Sequence, residues 1–353
     1  MNEARIVKLL KKNFASETFN FDELALKVFA YQFEHNKVFQ ALCKEAGKTP
    51  KNVSRVEDIP LVPLDLYKHA YVASFPREKT TRVFCSTGTS GNRCSLHFVN
   101  TAAFNLYRRF TIQQFFSIVP ELKGKKYTVI ASTRAHPNGF VSSKLSSLYG
   151  ILAEYGQKDF FIPSNFKEFG TTEAVIDFLR TLPPKKYPTV VCLNRYNDIA
   201  YLAAYCAKKR ISINLPKGSF LVTGGGSKTS DIIAPKELYK MGKKIFGLSA
   251  DSMIDSFSGT ELSGRSLRRG VGGHRIPPWW RVETRDPKTL ALLPPGETGL
   301  INITDILNFN NASFLLLPDS AYVRDGYLFH QGRTESPGYT KLLKKRIRLA
   351  RKD

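Results

Sequence analysis

Apolar residues recur at helical spacing through the first part of the chain. Residues 21–46, FDELALKVFAYQFEHNKVFQALCKEA, have an apolar position every three or four residues and contain no glycine or proline. Gly47 follows where a helix commonly ends, so the pattern predicts one helix over 21–46. A shorter helix is predicted at about residues 4–14, and the two prolines of DIPLVPLDLYK (58–68) predict an extended connector.

From residue 81 the pattern changes to short apolar runs that alternate with helical patterns. Strands are predicted at 127–132, 188–194 and 218–226, and helices at 142–156, 171–181 and 197–210. This alternation predicts an α/β fold with a largely parallel sheet flanked by helices. Ligands bind beyond the carboxyl ends of parallel strands, so we expect the loops at 86–91 and 223–228 to meet there.

After about residue 275 the strand-like runs become short and are separated by Asp-Pro, Pro-Gly and Asp-Gly turns. These turns predict antiparallel hairpins or a small barrel. We therefore predict one domain over 1–331 and a short basic C-terminal segment at 332–353. Within the domain we distinguish three parts by their patterns: a helical lead-in at 1–80, an α/β body at 81–274 and a β-rich part at 275–331.

The composition is that of a globular protein, with 42% apolar and 12% aromatic residues in a chain of 353. No run approaches the roughly 18 apolar residues of a membrane span, so we expect no transmembrane segment. The N-terminal sequence MNEARIVKLLKKNF is charged throughout and lacks the apolar stretch of a secretory signal. We expect a cytoplasmic protein.

A net charge of +23 is compatible with a nucleic acid, an anionic membrane surface or a polyanionic substrate. The basic residues are spread along the chain without a nucleic-acid-binding motif, so we expect no specific nucleic-acid partner. Residues 341–353, KLLKKRIRLARKD, contain seven Lys and Arg residues in a short amphipathic pattern. Peripheral contact with a membrane or an acidic partner and a solvated terminal helix both fit this tail.

The cysteines and histidines do not indicate a protein-ligated metal site. The five cysteines are odd in number and contain no Cys-x-x-Cys pair, and the six histidines lack metal-binding spacings. Buried thiols are therefore favoured over a disulfide framework or a zinc site. Cys85 and Cys94 flank the loop at 86–91, where a nucleophilic role is the alternative.

That loop lies within FCSTGTSGNR (84–93), which holds four hydroxyl side chains and two glycines. Glycine lets a backbone approach a ligand, and hydroxyl and free N–H groups can cradle an anion, so a phosphate-binding loop is one reading. A polar turn between two strands is the other. The stretch lacks the glycine and lysine spacing of a Walker loop and the three glycines of a dinucleotide fingerprint.

Four separated motifs, taken together, resemble the adenylate-forming enzyme superfamily: STGTSG (86–91), TGGG (223–226), DSFSGTE (255–261), and LPD (317–319) with the later GR (332–333). Within that superfamily FAYQFEHNKVFQALCKEAG, VPLDLYK, VTGGGSK and PPWWRVETRDPKTL are similar to the acyl-protein synthetase family, the fatty-acid ligase component of bacterial luminescence systems, and its non-luminescent relatives. The resemblance covers about residues 20–339. The phenylacetate-CoA ligases are the nearest competing family.

The resemblance implies an adenylate-forming fold and an ATP-dependent enzyme with Mg²⁺. Such an acid–thiol ligase converts a carboxylic acid, here a fatty acid, into an acyl-adenylate with release of pyrophosphate, and then transfers the acyl group to a thiol. The acceptor would be a partner protein, a carrier protein or CoA. The alternatives are an acyl- or aryl-CoA ligase of the phenylacetate-CoA ligase type and a nucleotide-binding relative that has lost catalysis.

The resemblance also implies roles for individual residues. Thr260 would contact the α-phosphate and Glu261 would help hold Mg²⁺, which makes them the expected catalytic pair. The remaining residues are expected to bind the nucleotide: Ser86, Thr87, Gly88, Thr89, Ser90 and Gly91 its β- and γ-phosphates, Gly224, Gly225 and Gly226 the neighbourhood of its adenine, Phe257 the adenine face, Asp319 the ribose, and Arg333 the ribose or a phosphate. The alternative interpretations are a plain turn for residues 86–91, an ordinary surface acid for Glu261 and an aspartate in a hairpin turn for Asp319.

The chain departs from the family in two places. The family has Tyr-Gly-x-Thr-Glu where this chain has Phe-Ser-Gly-Thr-Glu at 257–261. The family's acyl-accepting cysteine matches Pro337-Gly338-Tyr339-Thr340, and no cysteine follows Cys206, so the acyl group would pass to CoA, a carrier thiol, another protein or water. Compared with larger adenylate-forming enzymes, the lid domain is reduced to a short tail, which is itself typical of the acyl-protein synthetases. In this tail Lys341, Lys344 and Lys345 are equal candidates for the lid's lysine.

Overall fold

A computed structural model describes residues 1–16, 18–86, 93–133, 139–156, 158–163, 176, 179–180, 187–193, 196–224 and 233–351. The helices that it describes are α1 (Glu3–Asn13), α2 (Phe21–His35), α3 (Lys37–Glu45), α4 (Thr101–Ile118), α5 (Lys144–Tyr155), α6 (Tyr196–Lys209), α7 (Pro235–Phe246) and α8 (Pro337–Ala350). The strands are β1 (Val62–Pro63), β2 (Arg82–Cys85), β3 (Leu96–Val99), β4 (Thr128–Thr133), β5 (Val141–Ser142), β6 (Lys158–Pro163), β7 (Thr189–Cys192), β8 (Phe220–Gly224), β9 (Met253–Phe257), β10 (Ser266–Arg269), β11 (His274–Arg275), β12 (Trp280–Arg285), β13 (Gly299–Asp305), β14 (Phe314–Arg324) and β15 (Tyr327–Arg333).

The chain forms two compact units, each assembled from separate segments. The first contains residues 1–110, 259–265 and 275–353, and the second contains 111–258 and 266–274. These units have other boundaries than the three predicted parts at 1–80, 81–274 and 275–331 and the tail at 332–353, because contacts between distant segments define a compact unit.

The second unit is an α/β layer. Its strands lie in the order β10-β9-β8-β7-β4-β6, in which β9, β8, β7, β4 and β6 run parallel and β10 runs antiparallel to β9. Every residue of β7 and β8 is buried, as expected for parallel strands covered on both faces. Helices α6 and α7 pack on the sheet through Ile199, Leu202, Leu238 and Ile245. This unit agrees with the predicted parallel sheet.

The first unit contains an antiparallel sheet in the order β12-β13-β14-β15. The short strand β1 joins it in parallel by pairing with β14. The N-terminal helices α1, α2 and α3, the hairpin of β2 and β3, and the C-terminal helix α8 belong to the same unit. The hairpins predicted after residue 275 are therefore present.

Two sequence-based expectations in the lead-in were wrong in detail. The helix predicted over 21–46 is interrupted at Asn36, whose backbone is extended (φ −104°, ψ 101°). The Asn36 side chain accepts a hydrogen bond from Phe39 N and donates one to Asn311 O at 3.1 Å, so a distant partner stabilises the break. The segment 58–68 is only partly extended, since Leu64–Lys68 forms a 3-10 turn.

Residues 305–313 form a loop of the first unit that is buried and rich in polar side chains. Gln32 donates to the carbonyl oxygens of Asn308 and Phe309 at 3.0 and 3.1 Å and to Ser313 Oγ at 2.9 Å, and its own oxygen accepts from Ser313 N at 3.2 Å. Tyr67 OH accepts from Ala312 N at 3.0 Å. Buried backbone groups without partners are costly, so these side chains take the place of regular secondary structure.

We expect Gln32→Ala to lower the free energy of unfolding by about 3 kcal/mol, because it leaves several buried backbone groups of the loop without partners. Urea unfolding of the full chain measures the change. Gln331→Ala, at an exposed glutamine of the same unit, is the matched control and should change it by less than about 0.5 kcal/mol. Equal effects of the two substitutions would contradict a supporting role for Gln32.

Candidate active site

Glu261 is the buried acid of the predicted site. It is only 3% exposed, and in the sequence it follows the half-buried Thr260 in the segment that connects β9 to β10. Burial raises the pKa of the Glu261 carboxyl, although a hydrogen bond from the Ser95 hydroxyl favours the ionised form. The alternative interpretation of Glu261 as an ordinary surface acid is therefore wrong.

The backbone around Glu261 is held by the buried polar loop. Asn308 Nδ2 donates to Glu261 O at 2.8 Å, and Asp305 Oδ2 accepts from Ser263 N and Gly264 N at 2.8 and 2.7 Å. Gly264 has to be glycine, because a Cβ there would lie 2.2 Å from the indole nitrogen of Trp280. These hydrogen bonds and this close packing fix the backbone that carries the Glu261 side chain.

Ser86 forms the base of the hairpin that carries the predicted phosphate loop. Ser86 N donates to Ser95 O at 3.1 Å, and Ser95 N donates to Ser86 Oγ at 2.8 Å. Since the Ser95 hydroxyl also bonds Glu261, the structure brings the start of this loop and the predicted magnesium carboxylate together. Thr87, Gly88, Thr89, Ser90 and Gly91 lie outside the described residues.

Asp65 and Lys68, from the VPLDLYK segment, join this site although sequence reasoning gave them no role. Lys68 Nζ lies 2.6 Å from Asp65 Oδ1, and both side chains are largely buried. Burial alone would raise the pKa of Asp65, but hydrogen bonds from Lys68 and Tyr339 lower it, with Arg333 contributing. Both Asp65 and Lys68 also act electrostatically on Glu261. The signal available in the sequence was an acid and a lysine three residues apart in a short apolar motif.

Asp319 and Arg333 lie directly opposite each other on β14 and β15. Asp319 Oδ1 is 3.1 Å from the His330 Nε2 atom, and the Asp319 side chain is 16% exposed. Cross-strand neighbours present their side chains within reach of one ligand. The structure therefore places Asp319, which the resemblance assigned to the ribose, and Arg333, which it assigned to the ribose or a phosphate, at facing positions of neighbouring strands.

In the second unit, Gly224 ends β8 and Phe257 ends β9. A Cβ on Gly224 would lie 2.7 Å from Ser256 O, so close packing of the two strands already requires glycine there. Phe257 is half-buried, and its ring centroid lies 6.0 Å from that of His274. Gly225 and Gly226 lie outside the described residues.

An ion cluster fixes the strand that carries Phe257. Asp255 Oδ2 accepts from Tyr196 OH at 2.6 Å and from Arg268 Nη2 at 2.7 Å, and it lies 3.0 Å from His274 Nε2. Burial alone would raise the pKa of Asp255, but His274 and Arg268 hold it below its usual value. The same histidine that contacts the Phe257 ring is therefore anchored by this acid.

The residues present fit a magnesium ion that is shared with a bound triphosphate. Mg²⁺ is usually bound by one or two carboxylates together with substrate phosphates, and Glu261 supplies one buried carboxylate that Ser95 links to Ser86, the first residue of the predicted phosphate loop. In the described ranges, no group of three or more Asp, Glu, His or Cys side chains is arranged to hold a metal without a ligand's help.

The family model of acyl-protein synthetase, LuxE, matches residues 14–332. The chain belongs to the acyl-protein synthetase family. Its relatives include the long-chain-fatty-acid–luciferin-component ligases of Vibrio harveyi and Aliivibrio fischeri. The first is 24% identical over 84% of this chain and 77% of its own length, and the second is 21% identical over 86% and 79%.

Solved structures share the fold of this acyl-protein synthetase. A 2-hydroxyisobutyryl-CoA ligase bound to 2-HIB-AMP and CoA has a TM-score of 0.66 and 15% identity over 90% of this chain and 75% of that one. ATP-bound MatB from Rhodopseudomonas palustris has a TM-score of 0.50 and 13% identity over 83% and 56%. These likenesses confirm the predicted adenylate-forming fold.

Family membership confirms the predicted class of enzyme, an acid–thiol ligase that activates a carboxylic acid with ATP. It also favours the acyl-protein synthetases over the phenylacetate-CoA ligases. No helix among the described residues is long and apolar enough to cross a bilayer. The roles of single residues and the cytoplasmic location stay predictions.

We expect Asp255→Asn to lower the free energy of unfolding by about 3 kcal/mol near neutral pH, because Arg268 would be left buried without its counter-charge. Asp255 has a lowered pKa in the folded state, so its contribution is complete above its ordinary value of 3.8 and is lost as pH falls through the lower folded value. Urea unfolding between neutral pH and about pH 3 tests both points. Asp251→Asn, at an exposed acid of the same unit, should change neither.

Proposed function

We propose that this protein activates a fatty acid with ATP and Mg²⁺, forms an acyl-adenylate and pyrophosphate, and passes the acyl group to a thiol outside its own chain. One observation carries the first half of the proposal. The start of the phosphate loop, the Ser95 hydroxyl and the buried Glu261 carboxyl form one hydrogen-bonded series in the first unit. The Asp319 and Arg333 pair belongs to the same unit.

The reaction joins two anions, so the chain has to offset their repulsion. A carboxylate oxygen attacks the α-phosphorus, an oxygen–phosphorus bond forms, and the bond to pyrophosphate breaks. Positioning and charge carry such a step, with little covalent chemistry from the protein. Lys68 and Arg333 supply positive charge around Asp65, and Thr260 stands next to Glu261 as the proposed α-phosphate contact. Magnesium, when bound by Glu261, would offset the charge of the triphosphate.

The curated relatives are named for long-chain fatty acids, and this supports a fatty acid as the substrate. Buried aromatic side chains are abundant in this chain, but they also serve as ordinary core. The proposal therefore extends to the acid's chemical class and leaves its chain length to experiment.

The burial and the raised pKa values of the chain's own thiols support an acyl acceptor outside the chain. Burial raises the pKa of Cys43 to about 12 and raises the pKa of Cys192 and Cys206 as well. Burial and a hydrogen bond with Cys94 raise the pKa of Cys85 to about 11. Thiolates are the nucleophilic form, so these four thiols are poor acyl acceptors. Cys94 is exposed and has to be tested directly.

Tyr339, at the position that matches the family's acceptor cysteine, is committed to a structural contact. Its phenol donates to Asp65 Oδ2 at 2.8 Å and accepts from Asp65 N at 3.0 Å. The residue is 5% exposed, and burial raises its pKa well above the ordinary value. A phenol held in this way does not accept an acyl group.

We expect Glu261→Gln to reduce fatty-acid-dependent exchange of labelled pyrophosphate into ATP by about 100-fold, because it removes the carboxylate charge that is proposed to hold Mg²⁺ at the reacting phosphates. Its free energy of unfolding should be equal to or above that of the native chain, since a buried charge is replaced by a neutral isostere. The exposed Glu297→Gln is the matched control. Unchanged exchange in Glu261→Gln would contradict the assignment, and ATP binding without exchange for any acid would indicate a relative that has lost catalysis.

Asp319→Asn should weaken ATP binding by about tenfold, because the proposed ribose contact loses an acceptor of two hydroxyl protons. Calorimetric titration with ATP measures the affinity. Asp325→Asn, at the exposed turn of the same hairpin, is the control and should bind ATP as the native chain does. Equal ATP affinities of Asp319→Asn and Asp325→Asn would remove Asp319 from the nucleotide site.

A further inference from the structure

Lysines are concentrated at the edge of the second unit where its parallel strands begin. Parallel strands all start at the same edge of a sheet, and β4, β7, β8 and β9 run parallel. Helices α6 and α7 run back to this edge and end there. Three pairs of neighbouring lysines lie on it, one before β4, one at the end of α6 and one at the end of α7. We call these residues the lysine edge: Lys125, Lys126, Lys208, Lys209, Lys243 and Lys244.

Backbone contacts join the segments that carry the three pairs. Thr128 N, in the first residue of β4, donates to Pro188 O at 2.9 Å, and Pro188 directly precedes β7. A Cβ on Gly218 would lie 3.6 Å from the Pro188 side chain, so the segment that leads into β8 lies beside the start of β7. In the segment after α6, Ile213 N donates to Ile245 O at 2.8 Å, which brings the end of α7 close to it. The lysine edge therefore lies on one continuous end of the second unit.

The lysine edge has a net positive charge. Its six lysines are exposed, and none has a carboxylate at ion-pair distance within the described ranges. Three exposed acids of the described chain also precede these strands, and one of them, Glu121, already pairs with Arg269 at 2.5 Å. The other two are Glu154 and Asp251, and the exposed Arg210 adds a further cation.

The helix dipole accounts for only part of this pattern. Cations are favoured in the last turn of a helix, which applies to the lysine pairs of α6 and α7. Lys125 and Lys126 lie instead in the loop between Leu122 and β4. Like charges on one surface repel each other, and a polyanionic partner would relieve that repulsion.

The same end of the second unit carries an exposed apolar loop tip. Strand β10 runs antiparallel to β9, so it ends where β9 begins, and Gly270 N donates to Met253 O at 2.9 Å. Val271 follows, and its side chain is 76% exposed, more than any other large apolar side chain in the described part of the chain. Tyr239 of α7 donates to Gly270 O and so holds the base of this loop.

This combination of residues fits a lipid surface better than a nucleic acid. Lysine is a compact, strongly hydrated charge, whereas nucleic-acid recognition commonly adds arginine forks and stacked aromatic rings. Clustered lysines are attracted to anionic lipid headgroups whatever the arrangement of those headgroups. An apolar side chain such as Val271 can enter the boundary between headgroups and acyl chains, and it cannot stack on a base.

We propose that the lysine edge docks the protein on an anionic phospholipid surface, with the lysines at the headgroups and Val271 in the interface. The inference goes beyond the proposed function and does not rest on it. Gly224 and Phe257 lie at the opposite ends of β8 and β9, so the docked protein keeps that end of the sheet in water. Long-chain acids partition into bilayers, so docking would concentrate the protein where the proposed substrate accumulates.

The first test is sedimentation of the full chain with lipid vesicles in the absence of ATP and acid. We expect at least about tenfold tighter binding to phosphatidylcholine vesicles with about 30% phosphatidylglycerol than to phosphatidylcholine alone, and loss of this preference at about 1 M salt. Equal binding to both kinds of vesicle, or binding to neither, would overturn the proposal. A lack of pyrophosphate exchange with every acid would refute the proposed function and leave this result unaffected.

The variant Lys125→Glu/Lys209→Glu/Lys243→Glu reverses one charge of each pair. We expect it to bind the phosphatidylglycerol vesicles at least about 30-fold more weakly than the native chain does, because each lysine near an anionic surface contributes to the attraction. All three side chains are exposed, so its free energy of unfolding should be unchanged, and urea unfolding checks this. Native-like vesicle binding by this variant would refute the lysine edge as the docking surface.

The matched control is Lys344→Glu/Arg348→Glu/Arg351→Glu, which changes the net charge equally but at exposed residues of α8 in the first unit. It should bind the vesicles within about threefold of the native chain. Equal losses in the two variants would mean a general charge effect and would contradict the lysine edge. Loss of single-stranded DNA binding in the edge variant, with vesicle binding retained, would identify a nucleic-acid surface instead.

Fluorescence tests the position of the loop tip. The tryptophan of Val271→Trp should shift its emission to shorter wavelength when phosphatidylglycerol vesicles are added, because it moves from water into the interface. The native Trp279 and Trp280 are only 2% and 4% exposed and give a constant background. Leu292→Trp, at a residue of the first unit that is 45% exposed, is the control and should not shift. A shift in both variants, or in neither, would contradict insertion of Val271.

Discussion

The buried loop at residues 305–313 is the constraint on which the first unit depends. A loop that runs through a protein interior brings amide and carbonyl groups that no strand or helix partner satisfies, and each of them must still be hydrogen-bonded. Gln32 and Tyr67 supply those bonds from distant parts of the chain, and Asn36 interrupts a helix in order to reach the loop. Satisfying this one segment therefore fixes the lead-in helices against the antiparallel sheet.

The same loop determines the geometry of the candidate site. Asn308 and Asp305 bond the backbone on both sides of Leu262, so the buried Glu261 carboxyl is positioned by the main chain. An acid with a raised pKa is unfavourable in a folded protein unless its surroundings hold it there. The free-energy cost of burying the Glu261 carboxyl arises at that one residue. The hydrogen bonds that offset this cost come from residues far from Glu261 in the sequence.

The protein's excess of positive charge suits the proposed reaction of anionic substrates. The protein has 53 Lys and Arg residues against 30 Asp and Glu, and several of its acids are committed to cations, as Asp65 is to Lys68 and Asp255 to Arg268. The proposed substrates, a fatty acid and ATP, are both anions, so a surplus of positive charge favours their approach to the protein. The high net charge then needs no nucleic-acid partner to explain it.

The sequence by itself determined the type of most elements and the class of enzyme, because both depend on patterns that are local in the sequence. Short apolar runs that alternate with helical patterns are sufficient to predict parallel strands, as at β7 and β8. The spaced motifs around Ser86, Glu261 and Asp319 are sufficient to indicate a family that activates carboxylic acids with ATP. Only the tertiary structure decided how those residues are used. The break at Asn36, the burial of Glu261 and the pairing of Asp65 with Tyr339 each depend on a partner tens to hundreds of residues away. Such partners leave no local pattern, since the hydrogen bonds and burial that select them exist only once the chain has folded.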